Sequence, residues 1–179
     1  MFSRSRQRQI DNEGELYEVA VRALTRRAHS VEEMKRKLKR HTPNQLLVRV
    51  VLARLLEGGR LDDRAFARQF TRVRSESRKQ GQLRIASELR ARGVSDADIR
   101  WALEAAAGES DQLAMLRQRI ARKLKSIRGG SHREIDERKM AALYGSLLRA
   151  GFPADLIRRE LKHLTSSELP EPPAPESSF

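Results

Sequence analysis

Apolar residues recur along this chain at the three- and four-residue spacing that gathers them on one side of an α-helix. Leu16, Val19, Ala20, Ala23 and Leu24 do so near the start, and Leu113, Leu116, Ile120, Leu124 and Ile127 further on. No alternating run of β-branched or aromatic residues extends to strand length. Helix starts are marked by capping residues. Ser30-Val31-Glu32-Glu33 reads as a capping box, the Ser30 hydroxyl accepting from the Glu33 amide while Glu33 reaches back. Thr42-Pro43-Asn44-Gln45 places proline at a first helical position, where its missing N–H costs nothing. Asp62 and Ser95 read as N-caps and Pro153 as a second first-turn proline. Stops fall at Gly58-Gly59, Gly81, Gly93, Gly108, Gly129-Gly130 and Gly151. Together these predict about nine helices, over residues 13–27, 31–41, 43–57, 63–79, 82–92, 96–107, 111–127, 132–150 and 153–164.

The predicted helices fall into three groups of three. Leu89-Arg90-Ala91-Arg92-Gly93-Val94 parallels Leu147-Leu148-Arg149-Ala150-Gly151-Phe152, and the same offset pairs Ile99 with Ile157 and Leu103 with Leu161. A slightly shorter offset pairs Leu38 with Leu89, Val48 with Ile99 and Leu52 with Leu103, with Thr42 where the other copies carry glycine. The expected fold is therefore all-α, an elongated tandem array of three three-helix repeats. The repeats are expected at 13–60, 61–108 and 109–164, behind a basic N-terminal arm at 1–12. Residues 165–179, with four prolines between Pro170 and Pro175 and three glutamates, are expected to form a disordered acidic tail.

Composition narrows the chemistry. The 179 residues include no cysteine, which removes disulfides, thiolate zinc sites and cysteine nucleophiles. Only 4% are aromatic, so the core must come from Leu, Ile, Val and Ala. No apolar run approaches the ~18–20 residues of a membrane helix, and the basic N-terminus lacks the apolar stretch of a signal peptide. A cytoplasmic protein is the expectation. The formal net charge is +13, spread along the body, while the last segment is acidic. Such a surface attracts polyanions.

Three helical faces carry the excess. Arg36, Lys37, Lys39 and Arg40 cluster on the second predicted helix. Arg64, Arg68, Arg72, Arg74 and Arg78 lie on the fourth, away from an apolar stripe of Phe66, Phe70 and Val73 that reads as core. Arg117, Arg119, Arg122, Lys123, Lys125 and Arg128 lie on the seventh. Acidic partners four residues away are scarce on the fourth and seventh helices, so charge is not neutralised within them. Catalytic patterns are missing. Asp62 and Asp63 suit a helix cap and first turn. His29, His41, His132 and His163 show no metal-ligand spacing, and no GxxxxGK[ST] loop occurs. No enzyme activity, metal or cofactor is expected.

Gly59-Arg60-Leu61-Asp62-Asp63-Arg64-Ala65-Phe66-Ala67 resembles the "G-hydrophobic-D-D-x-x-F-A" signature of the RecX family of recombinase regulators. Gly81, Ile85, Glu88, Leu89 and Gly93 sit in a run, residues 81–94, similar to that family's "G-x-x-x-I-x-x-E-L-x-x-x-G-I". Residues 30–38 look like its "S-x-x-E-L-x-x-K-L" opening. Two departures are local: Thr42-Pro43 replaces a usual Gly-Phe, and Arg60 fills a position often aromatic. The resemblance covers roughly residues 16–164. It implies a non-enzymatic regulator that binds the RecA–DNA filament along its groove and suppresses ATP hydrolysis and strand exchange, in recombination, DNA repair and SOS control. The contacts it would use are Arg36, Lys37, Lys39, Arg40, Arg64, Arg68, Arg72, Arg78, Arg119, Arg122, Lys123 and Lys125, with weak, non-specific binding to single- or double-stranded DNA. The alternative is a general or helix-turn-helix DNA-binding protein. Composition weighs against the latter: residues 43–57 are too apolar for a wet major groove, and 96–107 carry the wrong sign for phosphate contact.

Overall fold

The structure is a computed structural model and describes residues 9–107, 112–128 and 137–166. Among the described residues there are nine helices and no strand: α1 (Glu13–Arg26), α2 (Val31–Leu38), α3 (Gln45–Glu57), α4 (Asp63–Glu76), α5 (Gln82–Arg90), α6 (Asp96–Ala107), α7 (Gln112–Arg128), α8 (Glu137–Arg149) and α9 (Ala154–Ser166). The all-α expectation holds. The start expected for α8 at residue 132, and the tail from residue 167, lie outside the described residues.

Local side-chain chemistry fixes the helix starts. The Asn12, Ser30 and Asp62 side chains accept from backbone amides of the first turns of α1, α2 and α4, and Ser95 does the same for α6 through the Asp98 amide at 3.1 Å. The Ser30 box closes on one side only. Its hydroxyl accepts from the Glu33 amide at 3.1 Å, but the Glu33 carboxylate turns to Arg27 at 2.8 Å and Arg92 at 3.6 Å. Pro43 corrects the expectation of a first-position proline. The cap of α3 is Asn44, whose side-chain oxygen accepts from both Leu46 and Leu47 amides, so Pro43 lies just outside the helix. Thr42 supports that turn by accepting from the Asn44 amide. Helix α2 stops short of His41 because its end tightens into three-residue bonds, Arg40 to Lys37 and His41 to Leu38.

Three apolar clusters form, each from three consecutive helices. Leu16, Ala20, Met34, Leu38, Val51 and Leu55 centre the cluster of α1–α3. Phe66, Ala67, Ile85, Leu89, Ile99 and Ala102 centre that of α4–α6. Leu116, Leu143, Leu147, Phe152 and Ile157 centre that of α7–α9. Helix α4 faces inward differently from the expected stripe. Phe66 is buried, but Phe70 is only half-buried and Val73 is 46% exposed. The inward face runs through Ala67, Thr71 and Ser75. These small side chains let α4 pack closely against α6, where Ala102 is buried.

The chain divides into two compact units, residues 1–78 with 85–110, and residues 79–84 with 111–179. In the first, the α4–α6 cluster is tied to α2: the Val31 amide donates to Asp63 at 2.8 Å and the Ser30 hydroxyl to the Arg92 carbonyl at 2.6 Å. Gly93, at φ +79, lies against the Glu32 side chain. In the second, the Gly81 amide donates to the Ala150 carbonyl at 2.8 Å and Leu83 to Gly151 at 3.1 Å. Gly151, at φ +89, lies against the backbone of Arg84. A positive-φ glycine thus follows each of two helices: Gly93 after α5 receives the first turn of α2, and Gly151 after α8 receives residues 81–84.

Candidate functional site

The family signature residues build the scaffold. Gly59 adopts φ +63 with open space around it, so its glycine is needed for the turn alone. Asp62 caps α4, accepting from Arg64 at 2.8 Å and Ala65 at 3.0 Å. Asp63 is spent on Val31. Burial raises its pKa above the usual carboxylate range, against the Val31 hydrogen bond and with help from Asp98, Asp62 and Glu33. Phe66, Ala67, Ile85 and Leu89 are core. Glu88 pairs with Arg74 at 3.3 Å. Gly81 and Gly93 make the close approaches described above. None of these groups is arranged for chemistry on a substrate. Among the described residues no cluster of His, Asp or Glu could hold a metal ion, and no helix is long and apolar enough to cross a membrane.

The basic residues divide into those that remain on the surface and those the fold has used. On α4, Arg64, Arg68 and Arg72 are exposed, as is Arg78 just past its end. The Arg64 guanidinium stacks 4.0 Å above the Trp101 ring. Arg68 and Arg72 line a cavity of about 530 Å³ with Ala65, Gln69, Ala105 and Ala106, where α4 and α6 meet. Arg74, in contrast, is held by Glu88 and lies 4.8 Å from the Phe70 ring, with Arg92 at 4.7 Å from the same ring. The scarcity of acidic partners within α4 is therefore made good from α5.

Helix α7 shows the same division. Arg122, Lys123 and Lys125 are exposed. Arg117 is held by Glu160 of α9 through two bonds of 2.6 and 3.2 Å. Arg119 departs from the expected solvent face: it is half-buried and donates to the Lys79 carbonyl at 3.3 Å. Burial lowers its pKa, and Arg84 and Arg122 add to the effect. Its first role is to fasten residues 79–84 to α7. Arg128 carries no described side chain.

On α2, Arg36 is exposed and Lys37 half-buried, and Lys39 and Arg40 are exposed in the turn that follows it. The structure adds residues that the pattern along one helix does not reveal. Arg26 and Arg27 at the end of α1 join Arg36, Lys37 and Arg40 around a cavity of about 710 Å³, with His29 and Glu33 in its wall. An adjoining cavity of about 250 Å³ is lined by Arg22, Arg26, Lys37 and His41. Both histidines are held below the ordinary imidazole range: His29 by burial first, and His41 by burial and then Lys37 and Arg40. The phenyl ring of Phe70 and the exposed Val73 border a third cavity, of about 740 Å³, with Arg27, Arg78 and Arg92.

Comparison with known proteins gives this arrangement a family. Residues 62–103, from the cap of α4 into α6, match the family model described as RecX, second three-helix domain. The regulatory protein RecX of Halorhodospira halophila is 41% identical over 141 residues, which cover 79% of this chain and 83% of that protein. The regulatory protein RecX of Pelodictyon phaeoclathratiforme is 32% identical over 145 residues, 81% of this chain and 86% of that one. The crystal structure of RecX from Lactobacillus salivarius shares the fold at a TM-score of 0.71 and 20% identity, covering 87% of this chain and 98% of that chain. With its helix-capping aspartate pair, its paired junction glycines and relatives matched along most of their length, the chain belongs to the RecX family of regulatory proteins.

Proposed function

We propose that this protein binds the RecA–DNA filament in the cytoplasm and lowers its ATP hydrolysis and strand exchange, so acting in recombination, repair and control of the SOS response. The observation that carries the reading is the placement of exposed cations on α4, inside the segment matched to the family. Arg64, Arg68 and Arg72 stay in solvent while Arg74 of the same helix is bound internally. The three apolar clusters are read as three repeats, with boundaries at 13–60, 61–108 and 109–164, each presenting basic residues. Several weak contacts on one scaffold add avidity without one tight site. A ligand shifts a conformational equilibrium only by its differential affinity for the two states. Holding neighbouring filament subunits in one relative orientation slows a hydrolysis cycle that needs them to move.

Titration of the protein into RecA on single-stranded DNA, with ATP hydrolysis as the readout, tests this. The expected result is inhibition at concentrations below those needed to bind bare DNA. Unchanged hydrolysis and strand exchange at saturating, folded protein would end the reading. Major-groove recognition is disfavoured by side-chain placement: α3 exposes Leu46, Val50 and Leu56, a poor set for base edges or phosphates.

A further inference from the structure

We propose that the trough between α1 and α2 is a phosphate-binding site that takes successive backbone phosphates of a nucleic-acid strand. It lies outside residues 62–103, the segment matched to the family model. The proposal rests only on the polyanion-binding part of the function above, not on RecA.

The two adjoining cavities, which share Ala23, Arg26 and Lys37, make one trough. Arg22, Arg26 and Arg27 stand on the α1 side, and Arg36, Lys37 and Arg40 on the α2 side. Of the carboxylates nearby, only Glu33 enters the wall, and it is engaged by Arg27 and Arg92. Glu18 reaches Arg22 only at 3.9 Å, on an exposed edge. Arg26, Lys37 and Arg40 form no ion pair among the described residues. Six cations therefore converge on a concave surface with one committed carboxylate. Like charges gathered on one concave surface raise its positive potential and favour entry of an anion.

The geometry favours a strand over a single small anion. The cation row Arg22 to Arg26 spans four residues of α1, about 6 Å at 1.5 Å per residue, and Arg36 to Arg40 runs as many residues across the end of α2. One nucleic-acid strand carries a phosphate about every 3.4 Å of duplex axis, so three successive phosphates, two spacings or about 6.8 Å, match the length of the α1 row. The histidines report on occupancy. His29 Nδ1 donates to the Arg27 carbonyl at 2.9 Å, a bond that favours the charged ring, but burial outweighs it and holds the pKa below its ordinary value. Its charged neighbours are Arg27, Glu33 and Lys37, and those of His41 are Lys37 and Arg40, with Arg22 and Arg26 across the trough. An entering phosphate offsets those cations and raises both imidazole pKa values.

The test uses the full-length protein without recombinase. Fluorescence anisotropy with a labelled oligothymidylate is measured against salt, for the wild type and for Arg26→Glu combined with Lys37→Glu. Arg49→Glu combined with Arg60→Glu, two exposed cations elsewhere on the same unit, gives the same change of net charge. The trough variant is expected to bind at least about tenfold more weakly than the control variant at low salt. Its salt dependence should be shallower by about 1.4 in slope, two contacts at ~0.7 each for single strands. Circular dichroism confirms folding, and Arg26→Gln with Lys37→Gln serves should the reversals disturb it. Histidine NMR titration is expected to show the His29 and His41 pKa values rising when oligonucleotide binds. Equal weakening by the two double variants, or unmoved histidines under saturating oligonucleotide, would overturn the site. Tighter binding of tripolyphosphate than of oligonucleotide, per phosphate, would overturn its assignment to a strand. Loss of RecA inhibition with intact trough binding would instead refute the filament reading alone.

Discussion

The Asp63 carboxylate accepts the backbone N–H of Val31 at 2.8 Å, across thirty-two residues of sequence. Its neighbour Asp62 accepts from Arg64 and Ala65. Two adjacent aspartates thus cap two different helices, Asp62 its own α4 and Asp63 the α2 of the preceding group. Burial makes the ionised Asp63 unfavourable, so its folded pKa stands above the unfolded one. Ionisation then erodes stability as pH rises through that range, and the penalty is absent below the unfolded pKa. Asp63→Asn keeps an acceptor for Val31 without the charge. It is expected to match or exceed the wild type in stability at pH 7, with the difference vanishing near pH 3 in urea melts. Asp63→Ala leaves the amide unpaired and is expected to lose about 1–2 kcal/mol.

Two positive-φ glycines separate two costs. Gly59 has φ +63 and open space around a hypothetical Cβ, whereas Gly151 has φ +89 and would drive a Cβ into the backbone of Arg84. Gly59→Ala is expected to destabilise by about 1 kcal/mol, the conformational term alone. Gly151→Ala adds a backbone collision and is expected to exceed it by at least about 1 kcal/mol. Equal losses would show that the junction yields.

Glu160 has the opposite pH behaviour to Asp63. Hydrogen bonds from Arg117 hold its pKa below the usual carboxylate value in spite of burial. The stability it contributes is present above the unfolded pKa and lost as pH falls through the folded one. Glu160→Gln is expected to lower the melting temperature at pH 7 and to converge on the wild type only as pH falls below the unfolded carboxylate value of about 4.3 and through the lower folded one.

Helix order was readable from sequence because caps and stops are local: Ser30, Asp62 and Ser95 do in three dimensions what their spacing implies. What depended on a partner helix was not. The large apolar residues of α4 suggested an inward stripe through Val73, but proximity to α6 favours small residues, so Ala67, Thr71 and Ser75 turn in. Thr42, Pro43 and Asn44 offered competing starts, and only the geometry of the Asn44 side chain chose among them. The basic faces were visible as single-helix runs. Burial of Arg119 under Lys79 was not, nor the meeting of Arg22, Arg26 and Arg27 with α2, since these need the tertiary fold.

The close packing of α4 leaves one polar group unsatisfied. The Thr71 hydroxyl is buried and has no hydrogen-bond partner among the described residues. Thr71→Val removes a desolvated hydroxyl at nearly constant shape. It is expected to stabilise the protein by about 1 kcal/mol in denaturant melts. A loss of that size would mean the hydroxyl is hydrogen-bonded in solution.

Reversal of Arg68 and Arg72 tests the surface proposed to meet the filament. Both are exposed beside Gln69 on α4, and neither takes part in an ion pair among the described residues. The double change to glutamate should leave the helical circular dichroism spectrum intact, since exposed substitutions typically alter stability by under ~0.5 kcal/mol each. DNA affinity should fall alike on unrelated sequences, because phosphate contacts carry no sequence information. The concentration needed to inhibit RecA hydrolysis should rise in parallel. Comparison with Lys123→Glu and Lys125→Glu on α7 then assigns the faces. A face that meets DNA loses affinity for bare DNA and for filament together. A face that meets protein loses inhibition while bare-DNA binding changes no more than its net charge requires. If reversal on both helices leaves inhibition at the wild-type concentration, neither basic face carries the filament contact.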